Sequence, residues 1–140
     1  MKHLFLLVAL ALVVLVIHAQ SIVRGGKKVD TRVFEMRTYY AHPGKMQALH
    51  ARFRDHAMKL FVKHGMTNVG YWSPLDPAEA EKKLVYVLAF PSREAAKKSW
   101  QDFQNDPAWK KAKGDSETDG PLVAKVESVF LKGTDYSPIK

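Results

Sequence analysis

Glu35, Arg37 and Tyr39 follow one another at two-residue steps in the segment Val33 to Tyr40. On a β-strand that spacing puts all three on one face. A guanidinium there can hold the carboxylate or enolate oxygen of a small ligand, while the carboxylate beside it orients the ligand or moves a proton. Tyr39 and Trp72 are then expected to line the same space. The pair has a second reading, an ion pair that sets strand or dimer register, because charges on a covered face must satisfy each other or a partner. By alternation, Phe34 and Met36 are expected to face the helices and the charged pair to face the opposite side.

The histidines after the first strand, His42, His50, His56 and His64, never fall three or four apart, so no two can chelate one metal from a single helical turn. No metal and no cofactor is expected. His56 and His64 are kept as cavity candidates, since a histidine of that helix would be the natural axial ligand or base in a heme- or quinoid-binding barrel. Each can also be a half-buried helix histidine with a backbone or water partner. The chain has no cysteine, which excludes disulfide scaffolds, cysteine nucleophiles and thiolate metal sites. No serine has a G-x-S-x-G setting, so a serine hydrolase is not indicated.

The elements that must position these groups are legible as patterns. Val33 to Tyr40 is rich in aromatic and β-branched residues and alternates, a strand signature broken by His42-Pro43-Gly44. Lys45 to His64 is helical: Met46, Leu49, Phe53, Ala57, Leu60 and Phe61 recur at three- and four-residue steps, with Lys45, Arg52, Asp55, Lys59 and Lys63 opposite. Gly65 ends it as a left-handed cap. Met66 to Ser73 reads as a second strand, Pro74 to Lys82 as a loop, and Leu84 to Phe90 as a third strand without a charged face. Ser92 caps a second helix reaching about Gln104, and Asp106-Pro107 starts a short helical piece through Trp109. After a polar loop, Lys113 to Gly120, Leu122 to Lys132 forms the fourth strand.

The order βαββαβ specifies an α+β, ferredoxin-like fold, a four-stranded antiparallel sheet with helices on one face and its first and third strands central. A third strand apolar on both sides asks for cover on the helix-free face as well. A second copy of the sheet is the simplest cover, so a homodimer is expected.

Residues 1–19 read as a signal peptide: Lys2 and His3 precede the apolar run Leu4 to Ile17, and Ile17-His18-Ala19 suits cleavage before Gln20. The run falls short of the ~20 apolar residues of a spanning helix, although an uncleaved N-terminal membrane anchor is the rival reading. A secreted or periplasmic protein, off the membrane once cleaved, is expected. Residues 20–32 read as a flexible lead-in, 33–132 as the folded domain and 133–140 as a tail. The formal charge is +8. Lys97, Lys98, Lys110, Lys111 and Lys113 make its densest region, fit for phosphates or anionic glycans, but without the phosphate loop or aromatic-flanked basic motif of a nucleic-acid binder.

From Val33 to about Lys132 the chain resembles the NIPSNAP family of the dimeric ferredoxin-like α+β barrel superfamily. The resemblance rests on Phe34-Glu35-Met36-Arg37-Thr38-Tyr39, Pro43-Gly44-Lys45, His64-Gly65 and Gly70-Tyr71-Trp72. Leu84 to Phe90 and Asn105-Asp106-Pro107-Ala108-Trp109 complete it. It implies the fold and a dimer, with no settled reaction. The animal members' association with mitochondria, vesicle traffic and mitophagy is at odds with an export signal. The function expected is a homodimeric binding or assembly module for a small anionic or aromatic ligand. By fold analogy, the alternative is a cofactor-independent monooxygenase or isomerase of a small phenolic or enolic substrate, with Arg37 holding the oxyanion.

Overall fold

A computed structural model describes residues 32–139. Residues 1–19, read above as a signal peptide, and all of the lead-in except Arg32 lie outside the described residues. Strands β1 (Val33–Ala41), β2 (Thr67–Trp72), β3 (Lys83–Phe90) and β4 (Val123–Leu131) form one sheet in the order β2-β3-β1-β4. All neighbours run antiparallel, and β1 and β3 are central, as the pattern predicts for a ferredoxin-like α+β fold.

The first long helix comprises α1 (Met46–Arg52), a π-helical turn (Phe53–Ala57) and α2 (Met58–Lys63). Its apolar residues explain the π turn. Leu49, Phe53, Ala57 and Phe61 are all buried at successive four-residue steps, and at 3.6 residues per turn each such step overshoots by about 40°. One wider turn, in which the Met58 N–H donates to the Phe53 carbonyl, keeps the stripe on the sheet. Gly65, at φ +76°, closes the helix with the paired bonds Met66 N–H to Phe61 O (2.9 Å) and Gly65 N–H to Val62 O (3.0 Å). Arg52 departs from expectation. It is buried rather than on the polar face, because Trp109 and Glu117 wait for it across the interface.

The 74–82 loop contains a one-turn helix, α3 (Pro77–Ala80), capped by Asp76, whose carboxylate accepts from Glu79 N–H at 3.0 Å. Helix α4 (Arg93–Asn105) starts at Ser92 as predicted, the hydroxyl accepting from Ala95 N–H at 3.1 Å. Helix α5 (Pro107–Ser116) begins on Asp106-Pro107 but continues well past Trp109. Burial of Ala112 and the Lys111–Asp115 pair one turn apart carry it on.

Met46, Leu49, Phe53, Phe61, Ala96 and Phe103 from the helices meet Leu84, Tyr86, Leu88 and Phe90 of β3 in one core. That core lies on one side of the sheet. On the other side, Phe34, Val69, Trp72, Val87 and Leu131 meet the chain after β4, with Ser137 and Ile139 lining a shared cavity of about 310 Å3.

Candidate functional site

The structure reverses the expected faces of β1. Arg37 pairs across with Tyr86 and Tyr39 with Leu84, both core residues, so Glu35, Arg37 and Tyr39 point toward the helices. Phe34 and Met36 take the helix-free side. The reason is Trp100 on α4 together with Ser128 on β4, which supply the polar partners a buried carboxylate needs. Glu35 is only 3% exposed. Its Oε2 accepts from the Trp100 indole N–H at 2.6 Å, and its Oε1 from the Ser128 hydroxyl at 2.6 Å.

Arg37 completes this arrangement. Its Nε lies 3.3 Å from Glu35 Oε1, and its guanidinium carbon sits 4.2 Å from the centre of the Trp100 ring, a cation–π contact. An Nη1–H reaches the Tyr39 hydroxyl at 3.5 Å. Burial alone would lower the pKa of Arg37, but Tyr39, Tyr86 and Glu35 outweigh it and raise it, so the cation is held. Beneath them the hydroxyl of Tyr86 is fully buried without a hydrogen bond of ordinary geometry, and burial drives its pKa well above that of a free phenol.

Arg37 and Tyr39 form the floor of a cleft of about 410 Å3 between the sheet, α4 and α5. Its walls are Trp100, Phe103 and Gln104 of α4 and Trp109, Lys110 and Lys113 of α5. Phe103 and Trp109 pack with ring centres 4.4 Å apart. Two polar ties hold α5 in place. Arg52 Nη1 pairs with Glu117 Oε1 at 2.7 Å, with its guanidinium carbon 5.4 Å from the Trp109 ring centre. Asp106, at the start of α5, accepts from Ala108 N–H at 2.7 Å, and its Oδ2 lies 2.6 Å from Lys63 Nζ and 2.7 Å from His64 Nε2. Lys63, then His64 and the Ala108 amide, hold that carboxyl well below the usual range.

Of the residues singled out from sequence, Arg37 and Tyr39 line the cleft, while Glu35 stands behind Arg37 and outside the lining. Trp72 is not part of it. It lies on the helix-free face, 52% exposed, its ring folded over Gly70, where an added Cβ would come within 2.5 Å of the indole. His56 is exposed on the π turn and His64 is engaged by Asp106, so neither reaches the cleft. Trp100, Trp109 and Ser128 were missed. Ala96, Trp100 and Phe103 sit at i, i+4 and i+7 on α4, a spacing that reads as plain core stripe. Among the described residues, no cluster of three or more His, Cys, Asp or Glu is placed to hold a metal ion.

Solved structures share this architecture. A NIPSNAP family protein of unknown function from Agrobacterium tumefaciens is 21% identical over 80% of this chain and 96% of its own, with a TM-score of 0.67. A NIPSNAP-like domain protein from Burkholderia xenovorans is 16% identical over 78% and 90%, with a TM-score of 0.65. More distant is a candidate antibiotic biosynthesis monooxygenase from Nitrosomonas europaea, 13% identical over 77% and 95%, with a TM-score of 0.54. No curated protein matches the chain in sequence. The family model described as NIPSNAP aligns with residues 34–138, from the strand bearing Glu35 and Arg37 through the segment beyond β4. The chain belongs to the NIPSNAP family.

Proposed function

We propose that the chain is an exported, homodimeric module that binds a small organic anion in the cleft above Arg37. One observation carries the reading: the cleft is lined by Arg37, Lys110 and Lys113 together with Tyr39, Trp100, Phe103 and Trp109 and, among the described residues, by no carboxylate. A concave site with aromatic walls and convergent cations favours a compact anion with an unsaturated body. Export rests on the basic start and apolar run before Gln20. Dimerisation is supported by the helix-free sheet face, where Met36, Trp72, Val129 and Leu131 stay exposed.

Binding fits the geometry better than the oxygenase or isomerase alternative. In that alternative Glu35 moves the proton, which needs its carboxylate within hydrogen-bond reach of the ligand. Glu35 has both oxygens engaged by Trp100 and Ser128 and does not line the cleft. Native mass spectrometry of the purified full chain tests the reading. A small molecule retained by the unaltered chain and lost from a folded Lys110→Gln/Lys113→Gln variant is expected. Equal retention in both would place the ligand elsewhere.

A further inference from the structure

We infer that the ligand of this cleft is a planar aromatic carboxylic acid bearing an acceptor oxygen across the ring. The inference rests on the reading of the cleft as a ligand site and specifies what that site selects. Its cations come from two elements. Lys110 and Lys113 are three apart on α5, so they share a face at the rim, while Arg37 and Tyr39 come from β1 at the floor.

The rim pair has charge to spare. Lys110 has no acidic partner among the described ion pairs, and Lys113 has only Glu117 at 4.0 Å, a carboxylate already held at 2.7 Å by Arg52. A carboxylate is the matching group there. The floor is different, because Glu35 already balances Arg37. The Tyr39 hydroxyl accepts from Arg37 and keeps its own proton to donate. The floor therefore offers donors without net charge, which suits a phenolic or carbonyl oxygen better than a second full anion. Between floor and rim the walls are rings, and a flat aromatic body matches them face or edge.

Trp100 and Trp109 report directly. In a Trp72→Phe background they are the remaining tryptophans of the three, so a fluorescence titration reads the cleft alone. The probes are 4-hydroxybenzoate, benzoate and cyclohexanecarboxylate. The hydroxyl is expected to tighten binding about tenfold over benzoate through Arg37 and Tyr39. The flat ring should add several-fold over cyclohexanecarboxylate. Lys110→Gln/Lys113→Gln, two exposed positions, should weaken 4-hydroxybenzoate roughly tenfold and remove most of its salt dependence.

Cyclohexanecarboxylate binding as tightly as 4-hydroxybenzoate would overturn the aromatic assignment and leave the cleft standing as an anion site. A fluorescence response indifferent to the lysine pair would overturn the placement of the carboxylate. Silence toward all three probes would overturn the ligand class. If native mass spectrometry still shows a molecule lost with the lysine pair, the site itself survives that result.

Discussion

Glu35 and Arg37 are a buried ion pair whose cation also lines the cleft of the proposed ligand site. The carboxylate is nearly dry and has three partners, so its charge is tolerable only because Trp100, Ser128 and Arg37 surround it. It lies 3.3 Å from Arg37 Nε and so helps keep the guanidinium over the Trp100 ring, at the lining of the cleft. Removing one member should therefore cost more than removing both. Arg37→Met is expected to lose about 3 kcal/mol by urea unfolding, and Glu35→Gln combined with Arg37→Met to recover most of it. Additive losses would contradict the coupling. That Glu35, Arg37 and Tyr39 share a face was legible from the two-residue spacing. Which face was not, because alternation ranks Phe34 and Met36 as the inner residues, and only contact with Trp100 and Ser128, each more than sixty positions away, reverses that ranking.

At the scale of elements, the cleft exists because α5 is pinned at both ends. Asp106 and Glu117 do this work, and each carboxyl is held below its ordinary pKa. For Asp106 the leading cause is the Lys63 hydrogen bond, followed by His64 and the Ala108 amide. A carboxyl depressed on folding stabilises fully above its unfolded value, 3.8 for Asp106, and loses that contribution as pH falls through the lower folded value. The urea midpoint of the unaltered chain should exceed that of Asp106→Asn by a constant margin at neutral pH. The margin should shrink steadily below 3.8. A margin independent of pH down to the acid limit would remove the charge from the explanation. The start of α5 was visible as Asp followed by Pro, and the same Asp-Pro signature at Asp76-Pro77 marks the short α3 that the loop reading passed over. The end of α5 was not visible, since Lys113 to Gly120 is polar and glycine-bounded. Burial of Ala112 and the Lys111–Asp115 pair carry the helix on, and a long-range tie, Arg52 to Glu117, fixes its far end.

For the whole molecule, the reversal on β1 strengthens the case for a second copy. Among the described residues no helix covers the side that carries Phe34 and Met36 instead of a charged pair, and there Met36, Trp72, Val129 and Leu131 are exposed. Residues after β4 shelter Phe34, which is 7% exposed, but leave Met36 uncovered. A stable interface needs roughly 1,000 Å2 or more, and a sheet face of four strands can supply it. Sedimentation at micromolar concentration should find a dimer for the unaltered chain and single subunits for Met36→Asp, with equal far-ultraviolet dichroism. A monomeric unaltered chain would contradict the dimer. The strand–helix order made the βαββαβ topology readable, because each element carries its own period and punctuation. The cleft was beyond reach, as it is assembled from β1, α4 and α5, which adjoin only after folding.

On the proposed reading, ligand recognition occurs between the sheet and α4–α5 and not on the open sheet face. Nitrogen-15 NMR of the indole N–H groups tests it most directly, since the tryptophans divide between the two sides: Trp100 and Trp109 at the cleft, Trp72 opposite. On titration with 4-hydroxybenzoate the Trp100 and Trp109 signals should shift together and saturate while Trp72 stays in place. A saturating shift of Trp72 with Trp100 and Trp109 unmoved would contradict the account.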